Sequence, residues 1–314
     1  MRCLCCNKEI LNPTEYEQGV GWHSKCIKHF FCFEEIPEIN ISNDMLEALA
    51  NNTVSKGLTV PGVQKKLSLH LDSKDKKARF TVVDYPTGYI LKPQSDDFRA
   101  LPEAEFLSMK LAEMVGIKTV PNGLIKVNQQ YAYITKRIDR DKSKIFAMED
   151  FCQLSNRSTA DKYKGSYEGC GRVINSYSKN VGIDKTELFY RLIFCFLTGN
   201  SDMHLKNFSL IESAPASRQY GLSAAYDMLP VNVIMPQDKE QMALTVNGKK
   251  RNIRKKDFLI LAENLEMNKN VAEKMIVRLC RYKEKFIEEI EKSYIPKDMK
   301  ESFVTLVEDR IKIF

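Results

Sequence analysis

Between Gly199 and Leu210 the chain reads Gly-Asn-Ser-Asp-Met-His-Leu-Lys-Asn-Phe-Ser-Leu, and Ala225-Tyr-Asp-Met-Leu229 follows. Asp202, Asn207 and Asp227 are spaced as a phosphoryl-transfer site requires. A carboxylate must sit beside the acceptor hydroxyl, while an amide and a second carboxylate hold Mg2+ on the nucleotide phosphates. Lys206 sets a cation next to Asn207, where it could stabilise charge on a transferring group. His204 has the chemistry of a general base, but its place beside the loop suits a hydrogen-bonding role that holds loop geometry. Taken singly, Asp202 and Asn207 read equally well as turn residues and Asp227 as a cap. The set, not any one member, points to catalysis.

These residues need elements to position them. Glu187 to Thr198 is apolar on nearly every face, which predicts a buried helix ending at Gly199-Asn200. Phe208 to Ile211 and Leu222 to Ala225 read as short strands joined by a polar turn with Pro215, a hairpin that folds Asp227 back toward Asn207. Upstream, Thr59 to Leu71, Ala78 to Val83 and Gly88 to Pro93 alternate as strands of a small antiparallel sheet. Lys92 lies near the end of the third strand, where it could reach nucleotide phosphates. Pro102 to Val115 has helical spacing, and spacing leaves open whether Glu103 or Glu105 pairs with Lys92. Tyr131 to Arg137 predicts another strand, running into Ile138 to Asp141 as a connection between lobes. Helices are expected at Phe146 to Leu154, Tyr167 to Tyr177, Lys185 to Leu197, 257 to 290 and 297 to 312. The polar interval Ser155 to Ser166 reads as a loop near the substrate or as plain surface connection.

The chain has 314 residues, 43% of them hydrophobic and 28% charged, enough for one large domain or two lobes with separate cores. The apolar run Leu188 to Leu197 is too short to span a bilayer, and Met1-Arg-Cys-Leu-Cys-Cys has no signal-peptide hydrophobic region, so a cytoplasmic location is expected, with no membrane partner. Delivery into another cell stays open. The net charge of +7 has local sources such as Lys249 to Arg251 and Arg254 to Lys256, which could meet nucleic acid or an acidic partner, or simply be solvated. Five of the nine cysteines fall in the first 32 residues. In a cytosolic chain that argues against disulfides, and Cys3-x2-Cys6 with His23-x2-Cys26 has the spacing of a zinc knuckle. Cys5, His29 and Cys32 are spare ligands. The competing reading makes these cysteines small apolar residues around Trp22 and Phe30-Phe31.

The motifs resemble the HipA-like serine/threonine kinases of bacterial toxin–antitoxin systems, particularly the short HipT-type members, from about Gly57 onward. The likeness rests on Gly62-x-Gln64-x-Lys66-Leu67, Tyr89-Ile-Leu-Lys-Pro93, Asn200-x-Asp202-x-His204-x-Lys206-Asn207-Phe208 and Tyr226-Asp227. It implies an α+β, bilobal, kinase-like fold with a small antiparallel-sheet N-lobe over 41–137, a larger helical C-lobe over 138–314 and a Cys-rich segment over 1–40. It further implies ATP and Mg2+ as cofactors and an antitoxin partner, often DNA-binding. The protein substrates in known members are aminoacyl-tRNA synthetases, whose phosphorylation halts translation. Carried over, Lys92 contacts ATP phosphates, Asp202 orients or deprotonates the substrate hydroxyl, and Asn207 with Asp227 holds Mg2+. The segment Val60-Pro-Gly-Val-Gln64 departs from a Gly-rich loop, although the amides of Gly62, Val63 and Gln64 could still form an anion-binding nest. Thr59 matches a position that is autophosphorylated in the family. Pro61 removes a second such position, and Ser55 is a weaker candidate. A phosphotransferase acting on a small molecule and a non-catalytic nucleotide- or DNA-binding scaffold are the competing functions.

Overall fold

The structure is a computed structural model that describes residues 1–39, 66–72, 78–83, 87–141 and 144–314. Two compact units divide the chain.

The first unit comprises Met1–Phe106 and Val120–Lys142. Its sheet contains β1 (Glu38–Ile39), β2 (Leu67–Asp72), β3 (Arg79–Val83), β4 (Tyr89–Lys92), β5 (Asn122–Val127) and β6 (Gln130–Lys136), in the order β1-β3-β2-β4-β6-β5. Every pairing is antiparallel except β1 with β3. β5 and β6 are joined through Asn128 and Gln129, both with positive φ (49° and 66°), so a two-residue turn carries the twist of the hairpin. The alternation of β2 puts Leu67 and Leu69 inside, as a half-buried strand requires. The short β1 follows Ile36-Pro37, and its Glu38 N–H donates to Ala78 O at 3.0 Å. Two residues are too few to show a period.

The N-terminal residues pack on this sheet. Thr14 and Glu17 form a capping box on the Glu15–Val20 helix, and a second helix runs Ser24–Phe31. Trp22 is fully buried, with its ring 5.4 Å from both Phe30 and Phe31. Phe31 meets Phe80 of β3 and Tyr89 of β4 at 5.9 and 6.0 Å. Sequence spacing anticipates the helix over Pro102 to Val115, which runs Leu101–Met114.

The second unit comprises Leu107–Thr119 and Ser143–Phe314. Its centre is the helix Val181–Leu197, every residue of which is buried from Leu188 onward. Around that helix stand Tyr167–Tyr177, Lys255–Asn264, Lys269–Cys280, Lys283–Glu291 and Lys297–Ile311. Phe194 stacks edge-on to Phe286 and Phe196 to Phe258. An all-round apolar helix is stable only inside such a jacket. The amphipathic helix expected over 257–290 comes as three helices, the first break falling where Glu266 takes φ 60° before the Asn268 cap. A small sheet pairs Ser209–Glu212 centrally with Met148–Asp150 and Tyr220–Leu222.

Two local expectations change here. Phe146 to Leu154 is helical only over Phe151–Leu154, because Met148–Asp150 pairs with Ser209–Ile211 and Asp150 then caps the helix by accepting from Gln153 N. The second hairpin strand is Tyr220–Leu222 rather than Leu222 to Ala225; Ala225 bonds Lys118 O at 2.7 Å instead. Among the described residues no helix is long and apolar enough to cross a membrane.

Candidate active site

The Val181–Leu197 helix stops at Gly199, whose φ of 67° is left-handed, and Asn200 N–H closes the end on Cys195 O at 2.8 Å. A Cβ on Gly199 would lie 2.9 Å from Leu306 and 3.3 Å from Asn232, so both conformation and space require glycine. The chain leaves the core at a fixed point, and the next residues are Ser201 and Asp202.

The loop then closes on itself. Asn207 Nδ2 donates to Asp202 O at 2.9 Å, and Asn207 is buried. With the amide nitrogen committed to that carbonyl, the amide oxygen is the atom left to accept or to coordinate. Asp202 Oδ1 accepts from the Tyr163 hydroxyl at 2.5 Å, and Asp202 N–H bonds Asn200 Oδ1 at 3.3 Å. Buried His204 stacks edge-on against Tyr163, ring centroids 5.0 Å apart, while its backbone N–H returns to Asp202 O at 2.8 Å and its carbonyl accepts from Asn207 N. That geometry fits the loop-holding role better than a base.

Asp227 reaches the same neighbourhood through Tyr226. The Tyr226 hydroxyl donates to Lys206 O at 3.1 Å and shares a 2.6 Å bond with Ser209 Oγ. Arg191 of the central helix donates to Ser223 O at 2.8 Å, so core, hairpin and loop are tied together. Asp227 itself has φ 59°, a left-handed conformation that aspartate tolerates better than most residues. Its carboxylate is close enough to act on Tyr163. Although the Tyr163 side chain is 42% exposed, desolvation of its hydroxyl first, then Asp202 and Asp227, push the phenol above the usual tyrosine range. At neutral pH Tyr163 is the donor in its bond to Asp202.

Lys206 makes an ion pair with Asp150 Oδ2 at 2.9 Å, which fixes its ammonium beside the loop. In the first unit, Lys92 Nζ lies 2.5 Å from Glu105 Oε1, with the lysine 4% and the glutamate side chain 0% exposed. The structure thus selects Glu105 over Glu103, whose carboxyl is raised by burial. Lys92 also sits 5.3 Å from the centre of the Tyr133 ring. Gly62, Val63, Gln64 and Thr59 lie outside the described residues.

Asp202, Lys206, Asn207 and Asp227 are therefore gathered by one framework in the second unit. The oxygen donors of Asn207 and Asp227 are hard ligands and suit Mg2+ better than a soft metal. Separately, Cys3, Cys6, His23 and Cys26 bring one ligand atom each to within 4.8 Å of one another. Sequence reasoning missed Tyr163, Asp150 and Asp238, which accepts from Ser201 Oγ at 2.7 Å. Tyr163 lies in the polar interval Ser155 to Ser166, and an aromatic residue in such a stretch is the one signal that could have found it. Part of the basic run turns inward: Lys249 Nζ pairs with fully buried Asp257 at 2.8 Å, and Lys250 with Glu240 at 3.4 Å.

The HipA-like C-terminal domain matches residues 58–286. A Haemophilus influenzae protein that is a kinase by name is 28% identical over 77% of this chain and 77% of its own length. Two further relatives are matched over 56% and 50% of their own length. Among solved structures, the HipA toxin–antitoxin complex of Shewanella oneidensis with HipB and operator DNA superposes with a TM-score of 0.66 at 19% identity, covering 81% of this chain and 64% of that one. The Helicobacter pylori proinflammatory kinase CtkA superposes with a TM-score of 0.56 at 15% identity, covering 78% of this chain and 94% of its own. The fold is accordingly the α+β, bilobal fold of these kinases.

Proposed function

The chain belongs to the family of the HipA-like C-terminal domain, and from that premise we propose that it is an ATP-dependent serine/threonine protein kinase acting as the toxin of a bacterial toxin–antitoxin system. The observation that supports the reading is the closure of Asn207 Nδ2 on Asp202 O, which holds Asn207 against the backbone of Asp202. ATP with Mg2+ supplies the phosphoryl group and neutralises its charge when bound. Everything else falls to residues of this chain.

Asp202 takes or orients the proton of the acceptor hydroxyl, and Tyr163 holds its carboxylate in one orientation. Asn207 and Asp227 serve as the oxygen ligands of Mg2+, and Lys92, held by Glu105, engages the nucleotide phosphates. Lys206, fixed by Asp150, offers positive charge beside the loop. Gly62, Val63 and Gln64 contribute backbone amides to phosphate binding, and Thr59 is the autophosphorylation site. A phosphate on Thr59 adds about two negative charges next to a phosphate-binding loop, so Thr59→Asp should weaken ATP binding. Equal ATP affinity in Thr59→Asp would remove that control.

The substrate class is a protein, specifically an aminoacyl-tRNA synthetase, and the consequence is inhibition of translation in the cytoplasm. The partner is an antitoxin that binds DNA, in keeping with the company in which the Shewanella relative was solved. The working division is a Cys-rich segment over 1–40, an N-lobe over 41–137 and a C-lobe over 138–314.

The test is incubation of the purified protein with γ-labelled ATP, Mg2+ and a bacterial lysate, with mass spectrometry of the labelled proteins. Label on Thr59 and on one synthetase is the expected result. Label on a small molecule and on no protein would replace this reading with the small-molecule phosphotransferase.

A further inference from the structure

The N-terminal Cys/His group lies apart from the loop just described and has its own logic. Cys3 Sγ, Cys6 Sγ, Cys26 Sγ and a His23 ring nitrogen lie within 4.8 Å of one another. We propose that these four residues hold one structural zinc ion, and that the ion fastens the N-terminal segment across the edge strand β5 of the sheet.

Geometry supports the metal first. Zn–S bonds of about 2.3 Å and Zn–N bonds of about 2.0 to 2.1 Å in a tetrahedron place S and N ligand atoms about 3.6 Å apart. His23 Nδ1 lies 3.4 Å from Cys6 Sγ and 3.8 Å from Cys26 Sγ, on either side of that value. The outer contacts are those of a metal-bound set as well. His23 Nε2 is 3.2 Å from Glu9 O, so a proton on Nε2 donates to that carbonyl and leaves Nδ1 as the ligand nitrogen. Cys3 Sγ accepts from the backbone N–H of Cys5 at 3.5 Å and of His23 at 3.4 Å, which supports a sulfur carrying negative charge. Three sulfurs and one imidazole form a soft donor set that favours Zn2+ over Mg2+.

The second half of the proposal follows from which residues adjoin the ligands. β5 ends the strand order, and an unpaired edge would present open backbone groups at its outer side. Leu4, next to Cys3, accepts from Leu124 N at 2.7 Å. Trp22, next to His23, donates from Nε1 to Leu124 O at 2.7 Å. Both outward backbone groups of Leu124 are thus engaged by residues adjacent to zinc ligands. Gly123 makes the approach possible, since a Cβ there would lie 2.6 Å from the Trp22 ring. The Glu15–Val20 helix between the two ligand pairs buries no residue, so it adds little to the hold that buried Leu4 and Trp22 give, and a metal would join the two pairs directly.

Full-length protein prepared without chelator should carry about one zinc per chain by elemental analysis. Replacement by Co2+ should give the visible bands of a tetrahedral thiolate site. Cys6→Ser should lower the zinc content at least about tenfold, whereas Cys5→Ser, outside the set, should keep it. Chelation of the wild type should speed hydrogen exchange at the Leu124 amide by at least about tenfold and leave Asn207 unchanged. Wild-type protein without zinc and without a cobalt band overturns the site, as does retention of full zinc in Cys6→Ser. Unchanged Leu124 exchange after complete zinc removal overturns the fastening role. The metal and exchange readouts are independent of any phosphoryl transfer.

Discussion

The loop Gly199–Asn207 and the ligand group of residues 3–26 both gather reactive atoms from short segments, but their supports differ. The loop emerges from a helix that is buried from Leu188 to Leu197, and its side chains are held by backbone partners such as Asp202 O and by the Tyr226 link to Lys206 O. The N-terminal group has a thin support of two short helices and one aromatic cluster around Trp22. A site that must be in place before its ligand arrives is built from core and main chain. A site whose ligand is structural can leave part of its own stability to that ligand.

The strongest way to break the first half of the comparison is Asp227→Asn. It removes a charged oxygen donor from a framework that the core continues to hold, so transfer from ATP should fall by about 10²- to 10³-fold, with the melting temperature unchanged. A parallel loss of activity and of folding cooperativity in this variant would show that the loop is not independently preorganised.

Lys92→Met should act on folding as well. The Lys92–Glu105 pair is 4% and 0% exposed, and removing one partner strands a buried charge at a cost of about 3–5 kcal/mol. The double variant Lys92→Met/Glu105→Leu should recover most of that stability in denaturant unfolding, yet stay inactive. Recovery of activity with stability would assign Lys92 a purely structural role.

Trp22→Phe keeps the aromatic packing and deletes the Nε1 donor to Leu124 O. It should cost about 1–3 kcal/mol by denaturant unfolding and leave phosphoryl transfer close to wild type.

Tyr163→Phe is the mildest change, removing one hydrogen bond to Asp202. Activity should fall no more than about tenfold. Because partial desolvation and the neighbouring carboxylates of Asp202 and Asp227 raise the phenol above the tyrosine range, Tyr163 stays protonated at neutral pH. The basic limb of the pH–rate profile should therefore keep its position in Tyr163→Phe, and a shift of that limb would assign it to Tyr163.

What the sequence made legible follows the same contrast. The all-round apolar helix and the Asp-x4-Asn spacing are local patterns, and the structure sets Asp202 and Asn207 in the loop they imply. The helix over Pro102 to Val115 was equally readable from period and from Gly116. Choosing Glu105 over Glu103 needed packing, because two residues on neighbouring faces of one helix turn differ only in what lies opposite. Tyr163 and Asp150 act across 39 and 56 residues of chain, a separation that no local period encodes. The short strands Glu38–Ile39 and Met148–Asp150 exist because a neighbour pairs with them, so tertiary context overrode a weak local signal. The zinc-knuckle spacing was plain, but the attachment of its Leu4 and Trp22 to β5 was not.

The most direct test of the kinase reading is transfer of label from γ-labelled ATP by wild type and by Asp202→Asn at matched folded concentration, checked by melting. Wild type should label itself and a protein acceptor in the presence of Mg2+. Asp202→Asn should melt at the same temperature and transfer label at least about 10²-fold more slowly. Equal labelling by the two proteins would contradict Asp202 as the base or positioning carboxylate and with it the catalytic assignment of the loop.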